Sequence, residues 1–332
     1  MAGFVDFDNH EHLDLFVTRY MEWDTRHSKP CGADWQTCCP PAGFPGTTNF
    51  LCRLLWPTMV CSSICSTTTG TATFNECALE SGVGPSADGK PRSEMGTVFE
   101  DYDNDGLPDI LVSELPREIY GLYHNHGGGL FTNESLETGL GAFPAGSSGC
   151  SVGLEDLDND GWKDLLVTQS HVLDNAEAID HSLHYLETPL LALNHSGRFE
   201  RTEPGITTPV AGQGLAFGGL NKDGWLDAVL TVLRGHPPIL MNRGGATHWL
   251  SITLRGTRNN RDGLGARLRI NRQTRFATTA GSYLSASDKR FHFGLGHSNT
   301  AFAEVSWPSG ACETLKDVPA DQFLEICEPE HP

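Results

Sequence analysis

Apolar residues in this chain come in short runs broken by turn formers, never in one long stripe. One pattern recurs: a short apolar run, a tight acidic loop, then a second apolar run. Residues 95–112 set the template. Val98-Phe99 lead in, the loop carries Asp101, Asp103, Asp105 and Gly106, and Asp109-Ile-Leu-Val112 follows. Residues 150–167 repeat it with Asp156, Asp158, Asp160, Gly161 and Asp164. Residues 214–230 repeat it with Gly219, Asn221, Asp223, Gly224 and Asp227, and a worn copy at 3–17 carries Asp6, Asp8 and Asp14. Each copy predicts strand, tight loop, strand. From His248 the period changes: His248-Trp-Leu-Ser-Ile-Thr-Leu254 alternates apolar and polar, as a half-buried strand does. No apolar run approaches the roughly 18 residues of a membrane span.

The spacing predicts an architecture. Asp101 to Asp156 is 55 residues and Asp156 to Gly219 is 63. That period holds about four short strands, the size of a propeller blade. A second signature falls inside each unit: Gly121-Leu-Tyr-His-Asn125 then Gly129-Leu-Phe131, Leu190-Leu-Ala-Leu-Asn194 then Gly197-Arg-Phe199, and Pro238-Ile-Leu-Met-Asn242. Asp6 to Asp101 is 95 residues, too long for one blade and short for two. Within that gap, residues 52–72 lack the pattern altogether. Back-translation with a one-base shift gives a stretch close to residues 121–125, so we expect a frame-shifted segment plus a lost half-blade. On that expectation Cys52, Cys61 and Cys65 are accidental, and the gene's DNA is the test.

The loops carry candidate chemistry. Positions 1, 3 and 5 hold carboxylates, the Gly at position 6 permits the backbone reversal that lets them converge, and position 9 returns a fourth carboxylate. Hard oxygen donors at this spacing suit Ca²⁺, with carbonyls and water completing its six to eight contacts. The loop resembles the front of an EF-hand, but its last acid comes at position 9 and strands flank it. Such loops also make ordinary turns without metal, which for a single copy would be the better reading. Two intact copies, Asp101/Asp103/Asp105/Asp109 and Asp156/Asp158/Asp160/Asp164, favour a metal. The Asn221/Asp223/Asp227 loop has lost a carboxylate and neutralised another, and the Asp6/Asp8/Asp14 copy has His10-Glu11 in place of Asp-Gly, so both are expected to be poor sites.

These units resemble FG-GAP/VCBS repeats, which imply calcium-bearing β-propellers. The C-terminal part resembles an ASPIC/UnbV module, on Gly256-Thr-Arg258, Arg261-Asp-Gly263-Leu-Gly265, Gly281-Ser-Tyr283, Phe291-His-Phe-Gly294-Leu-Gly296 and Val305-Ser-Trp307-Pro-Ser-Gly310. Together they resemble the cartilage acidic protein family. The expected fold is all-β: an incomplete propeller of about four blades over residues 1–243, then a β-sandwich-like module over 244–328. An extracellular or periplasmic location is implied by the resemblance. The N-terminus has no basic and apolar signal-peptide pattern, so the chain reads as the C-terminal part of a longer secreted precursor.

Charge and cysteines sharpen this. With 23 Lys+Arg against 42 Asp+Glu, the net charge of −19 excludes a general nucleic-acid binder. Residues 243–290 run the other way, with ten basic residues and only Asp262 and Asp288 as acids. That basic stretch is expected to dock on the acidic propeller or to be solvated. The functional alternative is an anionic glycan or matrix polymer bound by Arg258, Arg261, Arg267 and Arg269, within a scaffold whose surface meets a protein or glycan. Ten cysteines suggest an oxidising compartment. A local disulfide among Cys31, Cys38 and Cys39 and a Cys312–Cys327 pair across a terminal hairpin are expected, with Cys150 buried in a strand.

No nucleophile elbow, Walker loop, dinucleotide fingerprint or His-Glu-x-x-His is present. The close histidine pairs His10/His12, His124/His126 and His181/His184 lack a third zinc ligand in sequence. The reading is a non-catalytic calcium-stabilised interaction scaffold. The alternative is an enzyme, a lyase or cyclase, with its site in the central funnel, and the funnel lining discriminates between them.

Overall fold

The computed structural model describes residues 2–5, 14–17, 50–55, 64–68, 71–75, 78–83, 95–143, 146–258, 260–279 and 281–330. Strands dominate. The first five, β1 (Ala2–Val5), β2 (Asp14–Val17), β3 (Phe50–Leu55), β4 (Ile64–Thr68) and β5 (Thr71–Asn75), form one sheet in chain order. β3 and β4 pair in parallel at Leu54↔Cys65, so residues 52–72 do not run as a blade meander. Asp6, Asp8 and the Cys31/Cys38/Cys39 loop lie outside the described residues.

Three blades follow as antiparallel meanders. The first holds β6 (Thr97–Glu100), β7 (Asp109–Val112), β8 (Gly121–Asn125) and β9 (Phe131–Asn133). The second holds β10 (Gly149–Glu155), β11 (Asp164–Gln169), β12 (Leu190–His195) and β13 (Arg198–Thr202). The third holds β14 (Gly212–Gly218), β15 (Asp227–Val232) and β16 (Ile239–Leu240). Strand 1 meets strand 2 in one register throughout: Val5↔Asp14, Glu100↔Asp109, Glu155↔Asp164 and Gly218↔Asp227. The strands of the worn N-terminal copy thus pair in the same register as those of the later copies. β1, β6, β10 and β14 run side by side as the inner strands, which is propeller order.

The second strands explain why the runs after the loops are continuously apolar. β7 and β11 are buried along their whole length, because neighbouring blades cover both faces. Leu111 and Leu122 of the first blade share a core with Val152, Leu154, Leu165 and Val167 of the second. Leu166 faces the other way, toward Leu215, Phe217 and Leu230 of the third. Each such fully buried Leu contributes about 1.5–3 kcal/mol. Gly153 keeps the blades close: a Cβ there would stand 2.2 Å from the Phe217 ring.

The C-terminal module is a two-sheet sandwich. Its strands are β17 (His248–Arg255), β18 (Arg267–Ile270), β19 (Gln273–Phe276), β20 (Phe291–Gly296), β21 (Thr300–Ser306), β22 (Cys312–Pro319) and β23 (Gln322–Cys327). One sheet runs β20-β17-β23, the other β19-β18-β21-β22, and one core including Ile252, Leu268, Phe293 and Val305 lies between them. β17 departs from simple alternation. Leu250, Ile252 and Leu254 enter the core, but Trp249 and Ser251 on the opposite face are buried too. That face meets the third loop, where a Cβ on Gly224 would lie 2.0 Å from the Trp249 ring.

The expected Cys312–Cys327 disulfide does not form: both thiols are free and exposed. β22 and β23 are not a hairpin, because β23 changes sheets and pairs in parallel with β17. Cys150 is buried in β10 as expected.

Candidate metal centre

The loops share one backbone. Position 4 is left-handed in all three, at Asn104 (φ 62°), Asn159 (φ 58°) and Lys222 (φ 62°), followed by Gly106 (φ 95°), Gly161 (φ 95°) and Gly224 (φ 91°) at position 6. Only glycine holds such a φ without strain, so the Gly is required. The resulting hairpin aims main-chain N–H groups inward. The Asp105 N–H donates to Asp101 Oδ1 and Asp103 Oδ1, each at 3.1 Å, and Gly106 N–H to Asp101 Oδ2 at 3.0 Å. Asp160 and Gly161 do the same for Asp156 and Asp158, at 3.1, 3.1 and 2.8 Å.

Carboxylate oxygens of Asp101, Asp103 and Asp105 lie within 4.8 Å of one another, as do those of Asp156, Asp158 and Asp164. Asp160 stands outside the second group; its Oδ1 accepts the Trp162 N–H at 2.8 Å. Among the described residues no such group forms at the third loop, where Asn221 Nδ2 donates to Asp223 Oδ2 at 2.7 Å. The acid at position 9 has a second task, visible in all three blades. Asp109 accepts from Tyr102 N (3.2 Å) and Asn125 N (2.8 Å), Asp164 from Leu157 N (2.9 Å) and Asn194 N (2.8 Å), and Asp227 from Leu220 N (2.8 Å) and Asn242 N (2.9 Å). It pins the loop toward the third strand, which explains why Asp227 persists in a loop whose positions 1 and 3 are no longer acidic.

Burial and crowding make these acids reluctant to ionise. Burial, with neighbouring carboxylates adding, pushes Asp101 up to about 7 and Asp156 up to about 8; burial likewise takes Asp164 to about 8 and Asp109 to about 6. A converging all-oxygen donor set of like charges fits a hard divalent cation, which would offset the repulsion.

Successive loops are chained together. Asn104 Nδ2 donates to Gly161 O at 3.0 Å, and Asn159 Nδ2 to Gly224 O at 3.1 Å. Asn194 and Asn242, the Asn of the second signature, reach back to Tyr102 O (2.9 Å) and Leu157 O (2.7 Å) of the preceding blade.

The sandwich sits on this loop face. Gly294 N–H donates to Asp156 Oδ2 at 3.1 Å, Gly296 N–H to Asn159 O at 2.8 Å, and Thr247 Oγ1 to Asp158 O at 2.8 Å. Burial holds His292 down at about 3, so it is neutral and donates Nε2–H to Asn159 Oδ1 at 2.6 Å. Arg275 is the central contact. It grips Glu155 with both nitrogens (2.6 and 2.8 Å) and Glu100 at 3.0 Å. Lys163, buried, donates to Asp101 O (2.8 Å) and Thr274 O (3.4 Å). The basic stretch thus docks on the acidic propeller through Arg275.

The four arginines weighed for a glycan do not converge. Arg267 turns onto the first loop, donating to Gly106 O at 3.2 Å. Arg269 faces Glu304 at 3.7 Å, Arg261 faces Asp262 at 3.1 Å, and Arg258 is exposed.

The segment after β19 runs along the inner strands. Ser282, Ser285 and Ser287 hydroxyls accept the Val152, Leu215 and Phe217 N–H groups at 2.8, 2.6 and 3.1 Å. Beside it lies a cavity of about 250 Å³, lined by Val98, Leu154, Phe217, Glu100, Glu155 and Arg275 among others, with no His or Tyr among the described lining residues. Its charged groups are already paired with one another.

Sequence reasoning missed Arg275, Lys163, Glu100 and Glu155. A signal existed for two of them: a Glu precedes the first loop Asp in both intact copies, where the third has Gly218. It also missed that Glu134 stands beside His124 and His126, the third ligand that the linear sequence lacked.

Comparison with known proteins agrees with this architecture. Residues 101–167 match the model of the FG-GAP-like repeat, and residues 256–332 match that of ASPIC and UnbV. The chain thus contains a segment similar to FG-GAP-like repeats and a C-terminal segment similar to the ASPIC and UnbV domain. It is similar to cartilage acidic protein 1 of Mus musculus, 24% identical over 278 residues, covering 79% of this chain and 40% of that protein. The chain thus matches well under half of that relative's length. No described helix is long and apolar enough to cross a membrane.

Proposed function

We propose that this chain is a calcium-stabilised, non-catalytic scaffold that works outside the cell and presents a rigid surface to a protein or an anionic glycan. The observation that carries the reading is the repeated convergence of Asp101/Asp103/Asp105 and of Asp156/Asp158/Asp164 on loops with one backbone geometry. Asp109 and Asp160 would complete the donor sets, with carbonyls and water filling the remainder. The ion supplies positive charge where buried carboxylates crowd, and its binding only to the folded loops raises stability. The domain seated on the loops explains why rigidity there matters: Asp156 is both a donor in the set and a direct contact of Gly294.

Against a funnel enzyme stand the paired charges of the axial cavity and the backbone segment lying against the inner strands. The test is calorimetry and thermal melting in EGTA and in millimolar Ca²⁺. Occupancy at about 100 times Kd is worth about 2.7 kcal/mol. Calcium is expected to raise the melting temperature, with Asp101→Asn and Asp156→Asn each losing part of the gain. Identical melting in both buffers would refute the calcium reading. A glycan array on the calcium-loaded chain then tests the partner.

A further inference from the structure

We propose that His124, His126 and Glu134 form a separate site for a transition-metal ion of the zinc class, on the outer side of the first acidic loop. His124 lies on β8 and His126 just past its end, so both point to one side, with ring centroids 4.7 Å apart. Glu134 follows β9, the antiparallel neighbour of β8. One donor atom from each of the three lies within 4.8 Å of the others. A tetrahedral zinc ion with bonds of about 2.0–2.1 Å sets its donors roughly 3.3 Å apart, so small side-chain rotations close the set.

The donor chemistry differs from that of the loops. Two imidazoles and one carboxylate suit zinc, cobalt, nickel or copper, whereas calcium takes oxygen. Three protein donors leave a position for water or for a ligand atom from a partner. Neighbours hold the set. The Asp103 and Asp109 carboxylates stand 3.3 Å from His124 Nδ1, the kind of acceptor that orients a ligating imidazole. Thr132 Oγ1 is 2.8 Å from His126 Nε2, and the Tyr102 hydroxyl donates to Glu134 Oε2 at 3.0 Å. His126 is exposed, so an ion has an entry path.

The grouping belongs to this blade alone among the three described. The Asp–Asn pins align Asn125 with Asn194 and Asn242, which places Leu193 and Met241 at the His124 position and His195 and Arg243 at the His126 position. Pairing of Asn125 with Phe131 and of Asn194 with Phe199 places Thr202 where the first blade has Glu134. The second blade keeps only a histidine, His195, at the His126 position, and closes a shorter hairpin at His195↔Arg198.

This site abuts the first calcium loop through Asp103 and Asp109, which face His124 Nδ1, and the test separates the two. The full chain, with and without excess Ca²⁺, is titrated with Zn²⁺ by calorimetry and with Co²⁺ by visible absorption. Wild type is expected to take one tight equivalent in both conditions, with a d–d spectrum for low-coordinate Co²⁺. His126→Gln, at an exposed position, and Glu134→Gln, at a half-buried one, are expected to weaken binding by about tenfold or more and to abolish the cobalt spectrum. Asp156→Asn is expected to leave zinc binding intact. No tight equivalent in wild type, or unchanged affinity and spectrum in His126→Gln and Glu134→Gln, would overturn the proposal; in the latter case the metal sits elsewhere, as on His124 with Asp103 and Asp109.

Discussion

Removing the Arg275 guanidinium should expose how much of the contact between the two domains rests on one side chain. Arg275, Glu100 and Glu155 have side chains only 11%, 12% and 12% exposed. Arg275→Met leaves two buried carboxylates facing each other, with Lys163 Nζ, 3.8 Å from Glu100, as the nearest remaining cation. Breaking a buried pair by deleting one partner costs about 3–5 kcal/mol. Lys163 offsets part of this, so the low end, about 3 kcal/mol, is expected, roughly a 150-fold change in the unfolding equilibrium. Burial already pushes Glu100 above the usual carboxylate range with Arg275 present, and the variant pushes it further. A carboxyl whose folded pKa lies above its unfolded value loses stability as pH rises through that interval. The loss in Arg275→Met should therefore be larger at pH 8 than at pH 5.5. Urea unfolding of the full chain at both pH values measures it, and the variant with Glu100→Gln and Glu155→Gln added should recover most of the loss. A single-variant cost under about 1 kcal/mol, or a triple variant no more stable than the single, would refute the argument.

Other outcomes follow from the same contacts. Gly294→Ala would put a Cβ 2.1 Å from Asp156 Oδ2 and 2.4 Å from the Asn159 backbone, so the sandwich must shift off the loop at about 1–3 kcal/mol, read by urea midpoint and by faster proteolysis between β16 and β17. Burial pushes Glu187 up to about 8, while the Ser148 N–H at 2.9 Å opposes it. Its folded pKa exceeds its unfolded one, so wild type loses stability as pH rises from about 4.5 to 8, and Glu187→Gln should gain on wild type by about 1–3 kcal/mol over that interval in pH-dependent denaturation. Asp156 and Asp164, both pushed up to about 8, must shed protons to hold a cation, so calorimetric Ca²⁺ affinity should fall steadily from pH 8.5 to pH 5.5.

What the chain's own order determined is everything with a short period. Strand, acidic loop and strand were legible because the carboxylates, the glycine and the next strand lie within nine residues and recur. One copy calibrates the others, down to the shared register of Val5↔Asp14 and Glu100↔Asp109. In the sandwich only β17 was legible from alternation, and there the buried outer face was not; the rest rested on the resemblance to an ASPIC/UnbV module. What the tertiary structure decided are contacts between segments far apart in the chain. Arg275 meets Glu100 from 175 residues away, and nothing local distinguishes it from the arginines that stayed in solvent. The supposed pair of Cys312 and Cys327 failed because β23 found a parallel partner in β17 rather than its neighbour in sequence. His124, His126 and Glu134 came together only when β8 and β9 paired. Local periodicity reports which face of a strand is apolar; it carries no record of which distant surface will cover that face, because many surfaces satisfy the same alternation and only close packing of the whole chain selects one.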